Sequence, residues 1–224
     1  EYERSENMNS LGALFGVHFS DGVLAHPNKL GSPVVLCASY TDEAVEKHSA
    51  FNRMQAWGYG VSVPTAVALD YSQVKDFDVY PVLVTGDSAW IEHETKDMVD
   101  GEFVCNPAAG EEEGNYAVLI NLSRKIGDKE QRIIISGDSD FITNEEFGLT
   151  RPGMEVNNFE VITGSFRWLS YDAYPIYTDR IGAIDNGINL SGDWRVWIKL
   201  FFMILFPAFL VGTGVMIIYR RQRK

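Results

Sequence analysis

The chain has 224 residues, 46% apolar and 22% charged, with 20 Gly, 8 Pro and 2 Cys; this excludes a disordered, collagen-like or disulfide-framework protein and leaves room for one large domain or two small ones. All 31 acidic residues lie at or before Asp193, a stretch holding only 13 of the 19 basic ones, so residues 1–193 carry a net charge of −18. A surface of that sign repels a phosphate polymer, and nucleic acid is not an expected partner.

The chain opens EYERSENMNS, without an initiator Met, a basic region or an apolar export segment. It reads as the C-terminal piece of something longer, lacking an earlier membrane segment or a removed signal peptide. PVVLCAS (33–39) is a short β-branched run after a Gly-Ser-Pro turn signal, which predicts a strand. TDEAVEKHSAFNRMQAW (41–57) predicts a helix: Thr41 or Asp42 caps it, Ala44, Val45, Phe51, Met54 and Trp57 recur near helical spacing, and Gly58 ends it. Strands are expected again at 61–69 and 81–86, followed by a solvated loop over 100–115 with Glu111, Glu112 and Glu113.

YAVLINLS (116–123) and RIIISG (132–137) are too close for a parallel crossover, so they predict an antiparallel hairpin within a mixed sheet. NNFEVITGSFRWLSY (157–171) predicts a helix capped by Asn157 or Asn158, with Phe159, Ile162, Phe166 and Leu169 on one face and Trp168 close by. That face is expected to pack on the core, with Phe141, Phe166 and Trp168 as fold residues. Residues 172–193 read as an extended lead towards the membrane.

Two segments resemble each other: VLVTGDSAWI (82–91) and IIISGDSDFI (133–142) both end an apolar strand in Gly-Asp-Ser. Open α/β sheets hold ligands at the carboxyl ends of their strands, which makes Asp87, Ser88, Asp138, Ser139, Asp140 and the following Asn144 candidate crevice residues. Ordinary turn chemistry produces the same tripeptide. Asp138 and Asp140 are also a carboxylate pair of the kind that holds Mg²⁺ in nucleases and phosphatases, and IIISGDSDF resembles the acidic motif of NYN or PIN-like ribonucleases. Against that reading, PVVLCAS supplies no first-strand carboxylate, and Phe141-Ile142 breaks the DxDx(T/V) pattern of haloacid-dehalogenase-like phosphatases. The alternative role for Asp138 is to accept backbone N–H groups of the next turn, with Thr143 or Asn144 fixing the segment that follows, so that Asp138→Asn is expected to destabilise the fold.

No GxSxG, HExxH, GxxxxGK(S/T) or GxGxxG occurs, and no catalytic residue, metal ligand or cofactor is expected. His18, His26, His48 and His93 read as surface or locally hydrogen-bonded residues. Cys37 and Cys105 form one bridge or stand as separate thiols.

Leu200 to Tyr219 holds 20 residues without a charge, enough to span ~30 Å of hydrocarbon as a helix in contact with membrane lipid. Trp194 and Trp197 flank one end; Tyr219 and RRQRK flank the other. The basic tail is therefore expected in the cytoplasm and the acidic domain outside. Ala208 and Gly212 form a small-xxx-small pair suited to helix contact.

The succession GDSDFITNEEF (137–147), NNFEVITGSFRWLS (157–170), YPIYTDR (174–180) and a closing membrane helix with RRQRK resembles the auxiliary family of ABC transporters that includes the gliding-motility transporter component. SLGALFGVHFSDGVL (10–24), VPTAVALDYS (63–72) and FDVYPVLVTGDSAWIE (77–92) look like the preceding part of the same domain. The resemblance implies a Rossmann-like α/β fold, similar to flavodoxins and class I glutamine amidotransferases but without their catalytic residues. It implies an extracytoplasmic domain over 1–193, a transmembrane helix over 194–219 and a cytoplasmic tail over 220–224, in the inner membrane. An ABC permease and a separate ATPase subunit are the implied partners, and the role is transport without catalysis. An enzyme using Asp138 and Asp140, and a structural envelope-interaction module, are the other classes.

Overall fold

The structure, a computed structural model, describes residues 8–27, 32–93, 104–149, 151, 153–174 and 192–223; part of the expected loop and most of the expected lead (175–191) fall outside them. Two units make up the chain, Glu1–Ile176 and Tyr177–Lys224.

The first unit is mixed α/β. Its strands are β1 (His18–Phe19), β2 (Val23–Ala25), β3 (Val35–Tyr40), β4 (Val61–Pro64), β5 (Leu69–Asp70), β6 (Asp78–Val84), β7 (Trp90–Glu92), β8 (Ala117–Ile126) and β9 (Lys129–Ser136). Its helices include α1 (Asp42–Lys47), α2 (Asn52–Ala56), α3 (Asn144–Gly148) and α4 (Asn158–Leu169). The main sheet runs β4-β3-β6-β8-β9, and β1-β5 and β2-β7 form two small pairs.

Every pairing in the main sheet is antiparallel, which corrects both the mixed sheet and the Rossmann-like fold. The reason lies between β3 and β4. A parallel return needs a crossover that retraces the strand, ~20 Å for the six residues of β3. The single helix expected over 41–57 is instead broken at His48, whose φ of −151° ends α1 after six residues, ~9 Å. Neither short helix carries the chain back, so β4 re-enters beside β3 in the opposite sense. Thr41 does cap α1, accepting the Ala44 N–H at 3.1 Å, and the expected strand at 61–69 is interrupted by Thr65 at φ 55°.

Pro81 lies inside β6, where it has no N–H to give β8. The ladder accommodates it with register shifts between Pro81 and Val84, and Thr41 Oγ1 donates to the Pro81 carbonyl. The β8–β9 hairpin is longer than expected, closing through Gly127 and Asp128, with Gly127 at the positive φ (61°) that a two-residue loop requires.

Apolar side chains cover both faces of the sheet. Leu36, Ala38, Tyr40, Phe51, Val61, Tyr80, Val118, Phe141 and Val161 form one cluster with the helices. Val17, Phe19, Leu69, Ile120 and Leu122 form a second cluster, packed by Phe15, Val67, Val74 and Phe77.

Helix α4 ties the two sheet edges together. From Asn158 to Ser170 it covers ~18 Å, about the width of four strand spacings. At its start the Asn158 side chain acts as a surrogate strand on β4: Oδ1 accepts the Ser62 N–H at 2.9 Å and Nδ2 donates to the Ser62 carbonyl at 2.8 Å. At its end Tyr171 Oη donates to the Glu130 carbonyl of β9, and Arg132 of β9 donates to the Trp168 carbonyl while lying 4.0 Å from the Tyr171 ring centre. Exposed backbone at a sheet edge invites pairing with other chains, and these contacts cover part of both edges.

Asn157 is the cap of α4. The face turned inward is Asn158, Val161, Gly164 and Trp168, whereas Phe159, Phe166 and Leu169 are 62%, 58% and 40% exposed. The expected packing face is thus corrected at Phe159, Phe166 and Leu169, while Ile162 does pack against the core. A Cβ on Gly164 would meet the Phe51 ring at 2.9 Å, so the helix lies closest to the core along its small residue. Trp168 and Phe141 are buried as expected; Phe166 is not a core residue.

Among the described residues, the second unit holds one helix in three parts: α5 (Gly192–Leu200), a π turn (Phe201–Leu205) and α6 (Phe206–Gln222). Pro207 has no N–H for the preceding turn, and just before it the Phe206 N–H reaches back to Phe201. Val196–Gln222 is 27 residues long, apolar enough to cross a membrane, and none of its most apolar stretch is buried.

Candidate functional site at one end of the sheet

β6 and β9 both run antiparallel to β8 and flank it. Their carboxyl ends therefore reach the same end of the sheet, where β8 begins, and the two Gly-Asp-Ser turns lie about two strand spacings apart, ~10 Å. The backbone bonds agree: Thr85 N–H donates to Tyr116 at 3.0 Å, and Gly137 N–H donates to Val118 at 2.8 Å.

The first turn is open. Gly86 has φ 92° and nothing within 4 Å of where a Cβ would stand, and its N–H donates to Asn115 Oδ1 at 2.9 Å. Asp87 and Ser88 are exposed. Thr85 Oγ1 accepts the Tyr116 N–H at 3.0 Å and fastens the turn to the start of β8.

The second turn is enclosed. Val67 N–H donates to the Gly137 carbonyl at 2.9 Å, and a Cβ on Gly137 would lie 2.0 Å from the Val67 carbonyl oxygen. Ser136 Oγ accepts the Asp138 N–H and donates to the Asp138 carbonyl. Asp138 Oδ1 accepts the Asp140 N–H at 2.8 Å, while its Oδ2 is buried without a hydrogen-bond partner. Burial pushes the Asp138 carboxyl up to about 6; the backbone N–H groups of Asp140 and Phe141 oppose this, and the charges of Asp140 and Glu146 add to it.

Ser139 and Asp140 are exposed. Thr143 caps α3, accepting the Glu146 N–H at 3.3 Å and donating to the Asp140 carbonyl at 2.8 Å. Asn144, the first residue of α3, is exposed. Of the two expected anchors for this segment, Thr143 is the one that bonds.

Beneath this turn lies a polar network that the sequence reading did not find. Asn158 Nδ2 donates to the Phe141 carbonyl at 3.0 Å as well as to Ser62. Ser62 Oγ donates to Glu146 Oε2 at 2.9 Å, Arg151 Nε donates to Ser62 Oγ at 3.2 Å, and Arg151 pairs with Glu146. The usable signal was Asn-Asn before an apolar helix, where one Asn suffices as a cap.

Among the described residues, no group of three or more His, Cys, Asp or Glu side chains is placed to hold a metal ion. Cys37 and Cys105 are both free, and burial pushes the Cys37 thiol up. His48 Nδ1 accepts the Ala50 N–H at 3.2 Å and its Nε2 lies 3.3 Å from Asp172 Oδ2. Burial lowers its pKa, and Asp172 opposes that shift. Ala208 and Gly212 lie one turn apart on α6, and nothing approaches within 4 Å of a Cβ built on Gly212. An open cleft of about 780 Å³ lies at the opposite end of the sheet, lined by Asp78, Ser123, Arg124 and Glu130 among others. Arg124 is held there by Gln131 at 2.8 Å and by the Phe77 ring, so this cleft is separate from both Gly-Asp-Ser turns.

No family model, curated protein or solved structure matches this chain.

Proposed function

We propose that the chain is a membrane-held, non-catalytic auxiliary domain of an ABC transport system of the gliding-motility type. The acidic domain faces the extracytoplasmic side, and an ABC permease and a separate ATPase subunit are its partners. The observation that carries the membrane part is the unburied apolar helix Val196–Gln222, with Trp194 and Trp197 at one end and Arg220, Arg221 and Arg223 at the other. The order of segments from 137 to the basic tail supports the transport part. The Gly-Asp-Ser turns fit a binding role better than a hydrolytic one, because Asp138 Oδ1 is engaged by its own turn.

Purification of the full-length chain from its native membranes in mild detergent tests this reading. An ABC permease and an ATP-binding subunit are expected in fixed proportion to it, and the chain should resist extraction by alkaline carbonate. Release by carbonate removes the anchor. Recovery without an ATP-binding subunit, or metal-dependent hydrolysis of RNA or a phosphomonoester lost in Asp138→Asn, replaces transport with another function. The sidedness is checked separately: an impermeant protease should cut 104–115 from outside intact cells.

A further inference from the structure

The outward face of α4 is built like an interface. Phe159, Ile162, Phe166 and Leu169 follow one another at intervals of three, four and three residues, the spacing of a seam that receives a second helix. Three of the four are among the exposed large apolar residues, as is Phe147 of α3, whose ring meets that of Phe159 edge-on at 6.2 Å. Val161, Gly164 and Trp168 supply the core contact, with Ile162 half-buried against the core at the inner border of the seam, so Phe159, Phe166 and Leu169 are not needed to hold the helix on the sheet. Contiguous exposed apolar surface of this kind marks a contact site.

Charge and area narrow the occupant. Glu145 of α3 and Glu155 just before α4 are exposed, and Glu160, next to Phe159, is half-exposed. The nearby bases are spoken for: Arg167 pairs with Asp172 at 2.8 Å and Arg151 with Glu146. The rim is left acidic. A second copy would bring two domains of charge −18 together, which disfavours self-association. Burying what remains exposed of Phe159, Phe166 and Leu169 removes about 350 Å², short of the about 800 Å² per partner of a freestanding complex. A partner held on the same membrane meets the site at an effective concentration in the millimolar range, and a small interface then suffices.

We propose that the Phe159–Leu169 seam of α4 is the docking site for an amphipathic helix with basic flanks, belonging to a different membrane-attached protein. The inference rests on attachment through Val196–Gln222 and not on transport.

The test places the photo-crosslinking residue p-benzoylphenylalanine at 159 or at 166 of the full-length chain, in its native membranes, with Leu14 (74% exposed) as control position. Both seam positions should join the same segment of one other membrane polypeptide, with apolar residues at helical spacing and Lys or Arg beside them; the control should not. Phe166→Glu should lower the adduct formed from 159 by about tenfold or more, and Glu155→Lys with Glu160→Lys should lower it without changing the melting temperature. An adduct with a second copy, with lipid or with residues 175–191 of the same chain overturns the proposal, and so does the absence of any adduct. A basic amphipathic helix from a protein unrelated to transport would uphold the docking site while removing the transport reading.

Discussion

The two Gly-Asp-Ser turns share a tripeptide and an end of the sheet, yet they do different physical work. In the first, Gly86 is required by its backbone angle (φ 92°), with open space around it. In the second, Gly137 is required by the Val67 carbonyl, which leaves no room for a methyl group. Asp87 is exposed, whereas Asp138 turns one oxygen into its own loop and buries the other. The first turn is a surface element pinned by Asn115 and Thr85; the second is joined to the core through Asn158, Ser62 and Phe141. A short repeat is therefore poor evidence for a shared role until its neighbours are known.

The contrast is tested most severely at the asparagines. Asn158→Ala removes bonds to Ser62 N–H, Ser62 C=O and Phe141 C=O, and each buried group left unpaired costs about 1–3 kcal/mol. A loss above about 3 kcal/mol is expected in thermal denaturation of the detergent-solubilised protein. Asn115→Ala exposes the Gly86 N–H to water and should cost no more than about 1 kcal/mol. Equal losses would erase the distinction between the turns.

Next come the glycines. Gly137→Ala forces β9 and the Val67 segment apart and should cost about 2–3 kcal/mol by overpacking, against about 1–2 kcal/mol for Gly86→Ala from its left-handed backbone. Reversal of that order would place the crowding at the wrong turn.

The aspartates give a smaller effect with a pH signature. Folded Asp138 holds its proton up to about pH 6, whereas an unfolded Asp releases it near ~3.9. The resulting stabilisation is complete below ~3.9 and is lost as pH rises through 6. Asp138→Asn should therefore raise stability by about 1 kcal/mol at pH 7.5, after discount for partial exposure, and flatten the profile between pH 4 and pH 7. This reverses the sign expected from hydrogen bonding alone, because the buried Oδ2 outweighs the Oδ1 bond. A destabilised Asp138→Asn with unchanged pH dependence would show that Oδ2 is solvated. Asp87→Asn, at the exposed turn, should change stability by less than about 0.5 kcal/mol.

The local elements were legible in the sequence because their signals are local. Thr41 and Asn157 announce two caps, and the β8–β9 hairpin follows from the short distance between two apolar runs. Strand direction elsewhere in the sheet was not legible: periodicity identifies a strand without naming its partner, and the break at His48, before β4 returns antiparallel, carries a side-chain bond to Ala50. The face of α4 was misread because both faces carry large apolar residues. Spacing favours Phe159, Ile162, Phe166 and Leu169, and only the close approach at Gly164 and the bonds of Asn158 turn the other face inward. At the candidate site Asp138 and Thr143 were legible as turn chemistry, whereas Ser62, Glu146 and Arg151 were not, because 84 residues separate Ser62 from Glu146.

The span of α4 from edge to edge also bears on mechanics. The chain that continues towards the apolar helix leaves this unit just past Asp172, so a pull from that side first loads the contacts at the end of α4: His48 with Asp172, Tyr171 with Glu130, Arg132 with Trp168. Loaded from the Asp172 end, these contacts are expected to yield one after another, like a zip. Helix α4 is thus expected to act as a fuse. Tension should release about 15 residues, ~50 Å of chain, before the sheet bears any load.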